Sequence, residues 1–230
     1  MDMYADRTAR VATAVYLIGG LAWALLSVQH AQSWVASIWF VTVAAVGARL
    51  PGPANQVSLA RAYLAAPALF YAMHQEFGLL AVCVALAGLT DLVDGTIARR
   101  FVRPSNLGGA LDPVVDGLFL GALVIGLAAG GAFPVWLAIV VIARYVLPAA
   151  GGLVLISLHR LPELRHTVTG QISTSLIIVL VGGVCLFRFL GQDATNVVIG
   201  AEVVVPIATV ATFVHLAWVA RRPVAVPEPG

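Results

Sequence analysis

Residues 91–116 read DLVDGTIARRFVRPSNLGGALDPVVD and place four aspartates in an otherwise apolar chain. Asp91, Asp94, Asp112 and Asp116 are four of only 11 acidic residues in a chain of 230. A charge at the centre of a bilayer costs roughly 2.5–3.5 kcal/mol on insertion scales, so four would cost on the order of 10 kcal/mol. Near the membrane surface this cost is lower, but the mutual repulsion of the carboxylates remains. The stretch therefore predicts a compensating positive charge, and a divalent metal ion is the obvious candidate.

The rest of the chain has the composition of a membrane protein. Hydrophobic residues make up 60% and charged residues 10%, whereas a soluble domain carries about 25% charged residues. The apolar segments are close to the roughly 20 residues that a spanning helix needs, and they lack the alternation of barrel strands. We therefore predict an all-α, polytopic membrane helix bundle. The eight predicted spans are 11–29, 34–49, 56–73, 77–98, 107–130, 133–157, 167–189 and 195–220.

The arginines predict the orientation of this bundle, since the chain contains no lysine. Eleven of the 13 basic residues fall at the two termini and on alternate connections between spans, hence on one side. Arg188 is the only arginine near the opposite connections. The positive-inside rule then puts both termini and the acidic cluster on the cytoplasmic face. We expect a multi-pass protein of a bacterial plasma membrane.

The spacing of the aspartates is helical. Asp91 and Asp94 are three residues apart and Asp112 and Asp116 four apart, so on helices each pair lies on one face. The loop from 99 to 107 is expected to reverse the chain and let the two pairs face each other. Ligands that are all oxygen favour Mg²⁺ or Mn²⁺ over zinc. Two such ions at a membrane surface suggest chemistry on a diphosphate, with a carboxylate that accepts a proton from an alcohol.

These residues match a family signature. The pattern D-x-x-D-G-x-x-A-R, then eight residues, then G-x-x-x-D-x-x-x-D resembles that of the CDP-alcohol phosphatidyltransferases. Its defined positions are filled by Asp91, Asp94, Gly95, Ala98, Arg99, Gly108, Asp112 and Asp116. Upstream, Asn55, Ser58 and Arg61 resemble the N-x-x-[ST]-x-x-R element that opens the first core helix in many members.

The resemblance implies transfer of a substituted phosphate from a CDP-linked donor, here CDP-diacylglycerol, to an alcohol, with release of CMP. It implies two divalent ions, Mg²⁺ or Mn²⁺, bound by the four aspartates. Asp112 and Asp116 would be catalytic, and Asp116 would be the general base as well as a ligand. The CDP pocket would be lined by Gly95, Ala98, Arg99 and Gly108, with support from Asn55, Ser58 and Arg61.

The resemblance also implies a division of the chain. Residues 53–220 would form a six-helix catalytic core, 1–52 an added transmembrane hairpin and 221–230 a loose tail. The expected partners are CDP-diacylglycerol, a small alcohol or alcohol-phosphate acceptor, membrane lipids and, since the family often dimerises, a second copy of the chain. No nucleic-acid partner is expected.

The acceptor is predicted from a second group of basic residues. Arg144 falls within the sixth span, and Arg160 and Arg165 lie on the next connection. An arginine inside a span usually faces the bundle and an anion, so these three could bind an acceptor phosphate. Glycerol 3-phosphate is the leading acceptor, although Gly117 and Gln171 stand where phosphatidylglycerophosphate synthases usually have lysine.

Two other classes of function remain open at this point. A transporter or ion pathway also uses embedded carboxylates and an embedded arginine, but its charges would be expected near the midplane and its halves would be related by an inverted repeat. A member of the family that binds the CDP-lipid without turning it over would have no need of all four aspartates.

Overall fold

The apolar segments form helices in the computed structural model, which describes the backbone of residues 2–27, 33–50, 52–101, 106–157 and 168–220. Side chains are described for residues 7–27, 34–50, 52–53, 55–90, 114–151 and 172–215. The eight helices within these ranges are α1 (Asp2–Leu26), α2 (Ser33–Gly47), α3 (Pro53–Met73), α4 (Phe77–Phe101), α5 (Asn106–Ala129), α6 (Val135–Ser157), α7 (Val168–Phe189) and α8 (Thr195–Ala220). The described part of the chain contains no strand, and the predicted all-α class is confirmed.

The predicted spans agree with these helices except at a few ends. Helix α1 begins at Asp2, nine residues before the predicted start at 11. Helix α4 continues to Phe101 and α5 begins at Asn106, so the predicted reversal over 99–107 was too long. Arg99 and Arg100 are good helix formers, and the first residue that opposes helix is Pro104. The helix therefore continues without interruption through the motif residues of α4, from Asp91 to Arg99.

Three helical segments in the described residues are long and apolar enough to cross a membrane: 7–26, 172–189 and 195–215. Shorter apolar stretches occur at 34–47, 77–90, 114–129 and 135–151. Helix α3 differs, because it carries Asn55, Gln56 and Arg61 and packs against α1, α2, α4 and α5. Its neighbours enclose these polar groups, so α3 is a central helix of the bundle.

Helices α3 and α5 approach each other closely along small residues. A Cβ added to Gly126 on α5 would lie 2.5 Å from the carbonyl oxygen of Leu69 and 2.8 Å from the Cβ of Ala72 on α3. A Cβ on Gly130 would lie 2.6 Å from the Ala72 carbonyl oxygen. Small residues are what allow two membrane helices to pack at this distance. The contact brings the first turns of α5, with their aspartates, beside the first turns of α3.

Among the residues with described side chains, the buried apolar ones form two clusters. The larger one lies among α3 to α8 and includes Leu80, Leu123, Leu137 and Ile177. The second lies between α1, α2, α3 and the start of α5, and its buried members are Tyr16, Val43, Ala44, Leu59, Ala62 and Val115. We call this second group the hairpin cluster. The division into a hairpin over 1–52, a core over 53–220 and a tail over 221–230 stays a prediction.

Candidate active site

An ion pair joins α3 to α5 at the candidate site. The Arg61 guanidinium donates from Nη1 to Oδ1 of Asp116, 55 positions further along the chain. The Arg61 side chain is 6% exposed and that of Asp116 29% exposed. A buried arginine needs such a partner, because an uncompensated charge away from water is costly. The pair therefore fixes the carboxylate that the motif predicts as general base.

Arg61 is positioned by the helical register of α3. Asn55, Ser58 and Arg61 follow one another at intervals of three, so they lie along one face of the helix. Ser58 is buried and Asn55 half-buried on that face. Arg61 lies well inside the helix and its charge is matched by Asp116. Arg61 therefore contacts a motif residue of the candidate site, and as a paired charge inside a helix it contributes less to the orientation signal than its place in the sequence suggested.

The other predicted ligands lie on the two helices that flank α3. Asp91, Asp94, Gly95, Ala98 and Arg99 belong to the last turns of α4. Gly108 and Asp112 belong to the first turns of α5 and lie two turns and one turn before Asp116. Their backbone is helical, and α3 packs against both α4 and α5. Their side chains lie outside the described residues, so the carboxylate cluster and the CDP pocket stay predictions.

The residues fit a divalent cation by their chemistry and register. Continuous helix at 91–101 and 106–116 keeps each aspartate pair on one face, and carboxylate oxygens suit Mg²⁺ or Mn²⁺. In the part of the chain with described side chains, no three acidic, histidine or cysteine residues lie close enough together to bind a metal ion. Three of the four aspartates lie outside that part of the chain.

Arg144 lies in a buried polar cluster formed by three helices. It is 6% exposed on α6. Its Nη1 donates to the hydroxyl of Ser173 on α7 and, at 3.1 Å, to that of Thr212 on α8. Its Nη2 donates to the hydroxyl of Thr174 at 3.1 Å. The three hydroxyls orient the Arg144 guanidinium inside the bundle.

The sequence prediction included Arg144 but missed Thr212. A signal existed in the sequence, because Thr209 and Thr212 lie one helical turn apart in a largely apolar segment. Both are buried in the structure. The two other residues predicted for the acceptor site, Arg160 and Arg165, lie outside the described residues.

Tyr145 connects the surroundings of Asp116 and Arg144. A Cβ added to Gly117 would lie 3.2 Å from the Cβ, Cγ and Cδ1 of Tyr145, so α5 and α6 are in contact directly after Asp116. The Arg144 guanidinium carbon lies 6.0 Å from the centroid of the Tyr145 ring. A side chain at position 117 would need Tyr145 to shift by a few tenths of an ångström. The glycine and the tyrosine thus form one wall beside the candidate base.

Comparisons with known proteins agree with the motif. The family profile for CDP-alcohol phosphatidyltransferase matches residues 53–214. A probable cardiolipin synthase (CMP-forming) of Drosophila melanogaster is 33% identical over 160 residues, which are 61% of this chain and 49% of that protein. The cardiolipin synthase (CMP-forming) of Homo sapiens is 37% identical over 94 residues, 40% of this chain and 31% of that protein.

A probable phosphatidylglycerophosphate synthase of Mycobacterium tuberculosis is 28% identical over 174 residues, 64% of this chain and 81% of that protein. The matched region spans about half of the fly relative and about a third of the human one. The profile covers more than half of this chain and includes α3, the aspartates and Arg144. The chain belongs to the CDP-alcohol phosphatidyltransferase family.

Proposed function

We propose that the protein transfers a phosphatidyl group from CDP-diacylglycerol to an alcohol and releases CMP, as a step of phospholipid synthesis. The observation that carries this proposal is the ion pair between Arg61 and Asp116. It joins the last aspartate of the family motif to a buried arginine, inside the stretch that the family profile matches. An ionised, oriented carboxylate at that place is what proton abstraction from an alcohol requires.

In the proposed reaction, the acceptor hydroxyl loses its proton to Asp116 while its oxygen forms a bond to the phosphorus that carries the diacylglycerol. The bond from that phosphorus to the bridging oxygen breaks, and CMP leaves with the electron pair. Arg61 keeps the carboxylate charged and oriented. Asp91, Asp94 and Asp112, with Asp116, are the residues that would bind divalent cations, which supply charge compensation for the diphosphate when bound.

Arg144 supports an acceptor that carries a phosphate. A guanidinium matches a phosphate with two parallel hydrogen bonds, and the three hydroxyls around Arg144 restrict its rotamers in advance. Glycerol 3-phosphate is the leading acceptor. Phosphatidylglycerol is the second candidate acceptor. The fly and human relatives are named as CMP-forming cardiolipin synthases. Cardiolipin carries a phosphatidyl group at each end of a glycerol, so transfer of a phosphatidyl group to phosphatidylglycerol would form it. Both candidate acceptors present a glycerol hydroxyl near a phosphate ester.

The orientation in the membrane is part of the proposal. Ten of the 13 arginines lie near the two ends of the chain or on or next to the α2–α3, α4–α5 and α6–α7 connections. We place this side in the cytoplasm, where a nucleotide-linked donor is made. A homodimer in a bacterial plasma membrane remains the expected assembly.

The test is a panel of acceptors with the purified full chain in lipid nanodiscs. CDP-diacylglycerol is supplied with Mg²⁺ or Mn²⁺ and with glycerol 3-phosphate, phosphatidylglycerol, inositol phosphate or serine. We expect metal-dependent CMP release, and lipid mass spectrometry identifies the product. Asp116→Asn is the matched inactive control. The proposal is wrong if folded protein releases no CMP with any acceptor, and cation flux in liposomes without this chemistry would indicate a transporter.

A further inference from the structure

The first turns of α3 are hydrogen-bonded to both helices of the N-terminal hairpin. The Tyr16 hydroxyl on α1 donates to the backbone carbonyl of Gln56 at 2.6 Å. The Gln56 side-chain amide donates in turn to the carbonyl oxygens of Gly47 at 2.7 Å and Leu50 at 2.8 Å, at the end of α2. The start of α3 is therefore bonded to elements outside the region 53–214 that the family profile matches.

A further bond lies beside Arg61. The Trp39 indole on α2 donates from Nε1 to the carbonyl oxygen of Ala62 at 2.8 Å. In an α-helix this carbonyl already accepts a bond from the amide four residues on, so the indole bond is an additional one that joins α2 to α3. Ala62 directly follows Arg61 in the chain. The bond therefore restrains the rotation of α3 at the residue whose guanidinium contacts Asp116.

Aromatic contacts extend the attachment along α3. The rings of Tyr16 and Tyr63 stack with centroids 5.2 Å apart, and those of Phe40 and Tyr63 are 4.5 Å apart. Further along, the Trp23 indole donates to the Tyr71 hydroxyl at 2.8 Å. Lipid is as apolar as the side chains of membrane helices, so the hydrophobic effect does not drive these helices together. Their association depends on such packing and hydrogen bonds. The hairpin thus contacts α3 over most of its length.

The hairpin cluster reaches both members of the ion pair. Ala62, next to Arg61, and Val115, next to Asp116, are both buried in it, together with Tyr16 and Val43 from the hairpin. Trp39 packs against the same cluster. A shift of the hairpin would consequently move the backbone beside the arginine and the backbone beside the aspartate.

We propose that the N-terminal hairpin positions the Arg61–Asp116 ion pair for catalysis, with Trp39 and Tyr16 as positioning residues that act through Arg61. This inference rests on the proposed function. It gives the hairpin a role in the reaction, although the hairpin contributes none of the motif residues. The hairpin sets the rotation of α3, and α3 sets the place of the guanidinium that orients the base.

The test compares two tryptophans of α2. Trp39→Phe removes the indole donor to Ala62 and keeps an aromatic ring, whereas Trp34→Phe makes the same change at a residue that is 63% exposed. We expect Trp39→Phe to lower kcat for CMP release about five- to tenfold, the effect of losing one hydrogen bond. The KM for both substrates should stay within about twofold. Trp34→Phe should match the wild type.

A double-mutant cycle with Arg61→Lys separates positioning from a loss of folded protein. If Trp39 acts through Arg61, adding Trp39→Phe to Arg61→Lys should lower kcat by less than about twofold, because the two changes share one interaction. If Trp39→Phe only reduces the folded fraction, kcat should fall by the same factor in both backgrounds. That second result would overturn the proposal.

Amide hydrogen exchange of α3 provides a measurement that needs no activity. Peptides covering 53–66 should exchange faster in Trp39→Phe than in Trp34→Phe. Equal exchange together with equal kcat in the two variants would overturn the proposal. If the wild type releases no CMP but exchange still differs, the attachment of α3 to the hairpin is supported and the proposed transfer is what fails.

Discussion

Replacing Asp116 by asparagine removes the negative charge opposite the buried Arg61 guanidinium. The arginine is 6% exposed and would be left with its charge uncompensated at this contact. A second variant, Arg61→Met with Asp116→Leu, removes both charges and keeps apolar volume between α3 and α5. The two variants separate the cost of a broken pair from the cost of losing the base.

The expected stability change follows from burial. Removing one partner of a fully buried pair costs about 3–5 kcal/mol, whereas replacing both by apolar residues is often neutral. Asp116 is 29% exposed, so water screens part of the charge. We therefore expect about 2–3 kcal/mol for Asp116→Asn. At about 2–4 °C per kcal/mol for a chain of this size, the unfolding midpoint should fall by roughly 5–10 °C.

The assay is thermal unfolding of the three proteins in one detergent, combined with CMP release. The double variant should regain most of the lost midpoint, while both variants should lose about 10²–10⁴-fold in turnover, the usual range for a general base. Equal midpoints in all three proteins would show that the ion pair contributes nothing to stability. Turnover near the wild-type rate in Asp116→Asn would remove this residue from the proposed mechanism.

Three further predictions concern the acceptor, the helix contact and the metal. Arg144→Lys should raise the KM for a phosphate-bearing acceptor about tenfold, because lysine cannot form the bidentate hydrogen bonds that arginine forms with a phosphate. The KM for CDP-diacylglycerol should stay unchanged. Equal rises in both KM values would contradict this role of Arg144. Gly126→Ala places a Cβ 2.5 Å from the Leu69 carbonyl oxygen and should destabilise the bundle by about 1–3 kcal/mol in thermal unfolding. Gly121→Ala is its control, since nothing lies within 4 Å of the added Cβ. Asp91→Asn should raise the Mn²⁺ concentration needed for half-maximal CMP release, and EDTA should abolish the release until Mg²⁺ or Mn²⁺ is restored; an EDTA-insensitive reaction would exclude the metal.

Much of the candidate site could be predicted from the sequence because it is encoded by spacing. Residues three or four apart share a face wherever the chain is helical. Once a helix was predicted over Asp112 and Asp116, their position on one face of it followed from the spacing alone. Residues that contact each other from different helices have no fixed spacing in the sequence, so the sequence does not indicate that they meet. Neither the contact of Arg61 with Asp116 nor the contact of Arg144 with Thr212 could be read from the chain, because 55 and 68 positions separate their members.

The N-terminal hairpin illustrates the same limit. Its two apolar segments predicted two helices, and the sequence suggested no role for them. The bonds of Tyr16 and Trp39 to backbone carbonyls of α3 depend on how three helices are rotated against one another. A carbonyl acceptor is present at every residue, so the sequence does not mark which one is used.

The sequence by itself determined the eight helices of the described residues, the ends of most of them to within a few residues, and the family to which the aspartate motif belongs. Those properties follow from local quantities, namely the cost of transferring each segment into lipid and the helical period. The tertiary structure alone decided which polar groups meet: Arg61 with Asp116, Arg144 with the hydroxyls of α7 and α8, and the hairpin with α3. The physical reason is that helices apolar on all sides have no polar stripe to fix their rotation, so close packing of small and aromatic side chains sets it.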